Sequence, residues 1–248
     1  MKKVFLTLAL AALATATTYA QGVVFFNAPN AARIYTNTAP GGVGTGQTVG
    51  LAGTALYYYA LFYSTTQSTV NGTTNGMIGA NVAVSGGPTT GTNTPGGGAA
   101  SYAFSTSGWS FAGLYGTNTQ VSGRFNATVV DSKGQASTGN GTVGLGGIAQ
   151  FIIVGWSANI GSTVAALTAW YASPTFIGWV GQSQVTGSIQ LGDNSSLTTP
   201  GLMGPTYSAA SPVSPTFTLG EVVPVPEPGT MVLAGLGGLS LLALRRKK

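Results

Sequence analysis

Three carboxylates, Asp131, Asp193 and Glu221, are the side chains best suited to chemistry in the central part of this chain, which contains neither histidine nor cysteine. A Ser-His-Asp triad, a Cys-His pair and the usual zinc sites all require one of the missing residue types, so none of them can be built. Paired acid/base hydrolysis of a glycoside needs only two carboxyl groups. Each of the three also has a plainer role: Asp131 sits in a turn with Lys133, Asp193 in Gly192-Asp193-Asn194, and Glu221 leads into a proline-rich segment.

Asp193-Asn194-Ser195 could offer oxygens to Ca²⁺, but one carboxylate falls short of the several such a site normally uses, and a turn is the better reading. Gly139-Asn140-Gly141-Thr142-Val143-Gly144 matches G-x-G-x-x-G, yet strand-like residues follow it where a dinucleotide site requires a helix. No metal or cofactor is expected. Trp109, Trp156, Trp170 and Trp179, with ten tyrosines, could supply a stacking platform for sugar rings. Aromatics on apolar strands more often fill a core, and Trp156 shares the parity of Ile152 and Val154.

The formal net charge of +5 is unevenly placed: Lys2, Lys3, Arg245, Arg246, Lys247 and Lys248 are six of the nine positive residues. Between residues 21 and 225, Arg33, Arg124 and Lys133 balance Asp131, Asp193 and Glu221. That leaves no basic footprint for a nucleic-acid backbone. The terminal clusters instead flank apolar segments, which is how membrane topology is specified. Lys2 and Lys3, the apolar run Val4 to Ala14, and the small-residue exit Thr18-Tyr19-Ala20 together read as a signal peptide cut by signal peptidase between Ala20 and Gln21, with Ala14-Thr15-Ala16 as the alternative cut.

At the other end, Gly229 to Leu244 is an uncharged run of sixteen residues followed by Arg245-Arg246-Lys247-Lys248. As a helix it would span ~24 Å against a hydrocarbon core of ~30 Å, a gap that snorkelling and local thinning can close. The basic residues would hold the extreme C-terminus on the cytoplasmic side and leave the body outside. Before it stands Val225-Pro226-Glu227-Pro228, preceded by Pro224. Alternating prolines lack amide donors and favour an extended, unpaired segment open to an enzyme.

Val225-Pro226-Glu227-Pro228, the apolar run and the terminal Arg/Lys cluster together resemble the PEP-CTERM sorting signal of Gram-negative bacteria. The resemblance covers about the last 25 residues. It implies recognition by an exosortase-like membrane enzyme, cleavage near Pro-Glu-Pro, and passage from membrane anchorage to the cell surface or the extracellular space.

The elements between the ends read as strands. Val121 to Val129 and Val185 to Leu191 alternate in the period-two manner of half-buried strands, whereas Leu56 to Tyr63 and Ile148 to Trp156 are apolar on both parities, as central strands are. Asn71-Gly72, Asp131 to Gly134 and Asn140-Gly141 are suited to tight turns. Ser162 can cap a helix that begins at Thr163, places Val164, Leu167 and Tyr171 on one face, and stops before Pro174. Segments 39–53 and 85–100, mixtures of Gly, Thr, Asn and Pro, read as long surface loops.

The expected fold is all-β: an antiparallel β-sandwich or jelly-roll-like domain with one short helix at about 162–172, plus an N-terminal signal helix and a C-terminal apolar helix. The expected divisions are a signal peptide over 1–20, a β-rich exported domain over 21–220, a proline-rich linker with the sorting motif over 221–228, and the apolar helix with its basic end over 229–248. The expected function is that of a non-enzymatic, surface-targeted protein of the cell envelope or exopolysaccharide matrix. Exopolysaccharide and further copies of the chain are the partners such a neutral, Thr-rich surface would suit. An extracellular carbohydrate-binding module is the alternative, and a carboxylate-dependent hydrolase the third reading.

Overall fold

The computed structural model describes residues 22–28, 33–36, 46–47, 56–70, 108–130, 136–137, 143–172, 174–192, 199–203 and 216–222. The architecture is set by two strands with apolar residues on both parities, β4 (Tyr57–Ser64) and β8 (Ile148–Ser157), which pair antiparallel along their whole length from Tyr57↔Ser157 to Ser64↔Gln150. A strand of this kind needs cover on both faces of its sheet. Odd-numbered Tyr57, Tyr59, Leu61, Phe151 and Ile153 fall in one core, and even-numbered Ala60, Phe62, Ile152, Val154 and Trp156 in another.

Around this pair the sheet grows in both directions. On one side lie β5 (Ser110–Asn118) and β6 (Phe125–Ala127); on the other lie β9 (Gly178–Gln182), β11 (Thr216–Val222), β2 (Arg33–Thr36) and β3 (Gly46–Gln47). The short β10 (Ile189–Gln190) adds to the start of β8, and β1 (Val23–Val24) pairs separately with β7 (Ala136–Ser137). The all-β class with one short helix therefore holds, as one curled mixed sheet. A purely antiparallel arrangement does not hold, because β11 runs parallel to β2 from Thr216↔Arg33 to Leu219↔Thr36. Parallel neighbours need a long crossover, and here nearly the whole chain separates the two strands.

The first core is closed by the segment 22–28, whose alternate residues Val24, Phe26 and Ala28 are buried, and by Leu191, Leu202 and Met203. Phe125 stacks on Tyr59 at 4.4 Å between ring centroids and meets Phe26 edge-on at 4.9 Å. The second is closed by helix α1 (Val164–Ala172) through Leu167, Trp170 and Tyr171. Its cap is Thr163, not Ser162: the Thr163 hydroxyl accepts the Ala166 N–H at 3.1 Å, so the helix starts one residue later than the sequence suggests.

The two alternating segments turn out shorter as strands than their pattern implies. Of Val121 to Val129 only Phe125–Ala127 pairs, because Gly123, at φ 76°, turns the chain between β5 and β6 and leaves Val121 exposed. In Val185 to Leu191 the parity holds for buried Val185, Ile189 and Leu191, but Thr186 is buried too. Its hydroxyl accepts the Phe151 N–H at 2.8 Å, and the Ser183 hydroxyl accepts the Ile153 N–H at 2.9 Å, so side chains replace carbonyls in that stretch of the ladder. The turns at Asn71-Gly72, Asp131 to Gly134 and Asn140-Gly141, the loop 85–100 and both terminal helices lie outside the described residues. So does segment 39–53 apart from β3.

Glycine is required where strands crowd. Gly155 and Gly181 face each other across β8 and β9; a Cβ at 155 would lie 2.9 Å from the Tyr59 ring, and one at 181 would strike the Thr218 carbonyl oxygen. Gly181→Ala is expected to destabilise the protein by about 3 kcal/mol or more, read from the denaturant midpoint, since backbone leaves no room to repack. Burial pushes the Tyr57 phenol above its ordinary 10.0. The unfolded chain ionises first, so stability should be level below about pH 10 and fall as pH rises beyond it. Tyr57→Phe should make that alkaline decline in the midpoint shallower.

Candidate functional site

The structure bears on sorting where the body hands over to its tail. β11 is an interior strand: its first half pairs with β2 and its second half with β9, through Gly220↔Val180, Glu221↔Trp179 and Val222↔Gly178. Phe217 and Leu219 anchor it in the first core and Val222 in the second. Val222 is therefore buried and paired two residues before Pro224.

The other end is built in the same way. Gly22 is buried, donates its N–H to the Val143 carbonyl at 3.3 Å, and leaves no room for a Cβ beside Leu191. Val23 donates to the Gly192 carbonyl at 2.8 Å. Gly22, packed in this way, comes one residue after Gln21, the first residue beyond the expected signal-peptide cut.

This chain carries a PEP-CTERM protein-sorting motif, matched over residues 224–247. No curated protein and no solved structure gives a match. The PEP-CTERM motif implies processing by an exosortase-type membrane enzyme and export to the cell envelope or surface. Its residues Val225, Pro226, Glu227 and Pro228, the basic residues Lys2, Lys3, Arg245, Arg246, Lys247 and Lys248, and the Ala20–Gln21 cut all lie outside the described residues. Among the described residues no helix is long and apolar enough to cross a membrane.

Of the body's carboxylates, Asp131 and Asp193 also lie outside the described residues, and Glu221 is half-buried on β11 opposite Trp179. No group of three or more metal-ligating side chains occurs among the described residues. Trp109, Trp156 and Trp170 are buried; Trp109 donates its indole N–H to the Thr69 carbonyl at 3.3 Å, and Trp156 to the Gly161 carbonyl at 2.7 Å. Tyr58, Phe111 and Tyr115 are half-buried against the second core. Phe176, 40% exposed, is the most exposed aromatic ring among the described residues, so the tryptophans do not make the open sugar platform that their number allows.

Sequence reading found the tail but not its abutment on an interior strand. The polar-apolar alternation of Thr216, Phe217, Thr218 and Leu219 was the available signal of a strand there. Leu219→Ala is expected to cost 2–5 kcal/mol in chemical denaturation, because Leu219 is fully buried under the Gly155 strand.

Proposed function

We propose that this chain is a non-enzymatic protein of the cell envelope or exopolysaccharide matrix, cut by signal peptidase after Ala20 and by an exosortase-type enzyme at the Pro224 to Pro228 segment. The observation that carries the reading is the PEP-CTERM motif placed immediately after a β-rich body. Until the second cut, the run Gly229 to Leu244 holds the chain in the membrane with Arg245 to Lys248 on the cytoplasmic side.

The non-enzymatic reading is supported by the lack of histidine and cysteine and by the few carboxylates of the body. A body with balanced charges has little self-repulsion, which favours close association with matrix polymer or with further copies. A matrix role is favoured over a carbohydrate-binding module because the tryptophan rings are committed to the cores.

Intact-mass measurement of the surface form tests the processing: the expected mass lacks residues 1–20 and the tail beyond the Pro-Glu-Pro element. A combined Pro226→Ala and Glu227→Ala variant should accumulate with its tail attached. Full-length product with both termini, free in the cell interior, would overturn the reading. Deletion of the gene should alter surface architecture or biofilm; an unchanged surface would remove the matrix role.

A further inference from the structure

The end of the sheet from which the tail departs carries exposed apolar side chains. Gly178 is the strand partner of Val222, and the two residues before it, Phe176 and Ile177, are 40% and 44% exposed. The surroundings hold them in place. Phe176 packs on Trp170 at 5.8 Å between ring centroids, the Asn159 side chain donates to the Ile177 carbonyl at 2.8 Å, and Ile160 and Trp170 fill the space where a side chain at Gly178 would lie. Among the described residues the charged side chains are Arg33, Arg124 and Glu221; Glu221 is half-buried beside Val222, and Arg124 lies in the turn between β5 and β6, which the registers place at the same end of the sheet.

The length of the connection says what faces this tip. Six residues, Val223 to Pro228, separate Val222 from the apolar run that begins at Gly229. Fully extended they reach no more than roughly 25 Å. While the tail is in the bilayer, the Val222 end of the body therefore cannot leave the neighbourhood of the membrane surface. A phenylalanine with an aliphatic neighbour suits the interface between headgroups and acyl chains.

We propose that Phe176 and Ile177 form a lipid-contact tip that rests this end of the body on the bilayer while the tail is embedded. This rests on the tail being membrane-embedded, and the test separates the two claims. Because the chain has no cysteine, single thiols can be introduced for an environment-sensitive fluorescent label. The full chain is reconstituted in phosphatidylethanolamine/phosphatidylglycerol vesicles with brominated acyl chains and labelled at Phe176→Cys, at Leu236→Cys in the tail, or at Ile148→Cys. Ile148 is 57% exposed at the opposite end of β8, about 30 Å away along the strand.

The expected result is a blue shift and bromolipid quenching at positions 176 and 236, with neither at 148. Quenching at 236 with position 176 as wet as 148 would overturn the lipid-contact tip alone. Absence of quenching at 236 would overturn the embedded tail and, with it, the proposed arrangement. Equal quenching at 148 and 176 would also overturn the tip, since contact would then not be specific to this end. Ile177→Cys repeats the measurement should the Phe176 variant fail to fold.

Discussion

The fold depends on the two-sided burial of β4 and β8. Their paired backbones are shielded on both faces, with Tyr59, Leu61, Phe62, Phe151, Ile152, Ile153, Val154 and Trp156 all essentially inaccessible. A sheet with one apolar face can leave the other in water; this one cannot, and each face requires its own cover. The segment 22–28 with 199–203 serves one face and α1 the other, which is why a single helix in an otherwise β-rich chain is buried through Leu167, Trp170 and Tyr171.

That requirement bears on export. β2, near the start of the body, pairs with β3 on one side and on the other with β11, the last described strand before the tail. The gap between β2 and β9 is filled by β11, so the sheet is incomplete until residues 216–222 are present. Contacts so distant in sequence make closure a late event in folding. A chain crossing the membrane N-terminus first would complete its sheet just as its sorting tail arrives.

Backbone N–H groups at irregular points of the strands are satisfied by uncharged side chains. The Asn118 side-chain oxygen accepts the N–H groups of Leu56 and Tyr57, each at 2.8 Å, where β4 begins; Ser183 and Thr186 serve β8, and the Ser157 hydroxyl accepts the Trp179 N–H at 2.9 Å. Hydroxyls and amides supply the missing ladder partners locally, which lets strands deviate from ideal pairing without orphaning buried backbone. The Ser-, Thr- and Asn-rich composition thus contributes inside the protein as well as on its surface.

The sequence alone identified the central strands, the approximate helix and the sorting tail. Parity of burial and helix periodicity are local properties, and a sorting motif is read along the chain by an enzyme, so neither needs distant residues to be legible. Tertiary structure alone decided the parallel β2–β11 pairing, the truncation of both alternating strands, and the register that sets Val222 opposite Gly178 beside Phe176 and Ile177. Those outcomes depend on which backbones meet across almost two hundred residues, and that choice is made by the joint packing of both cores, which no short window of residues contains.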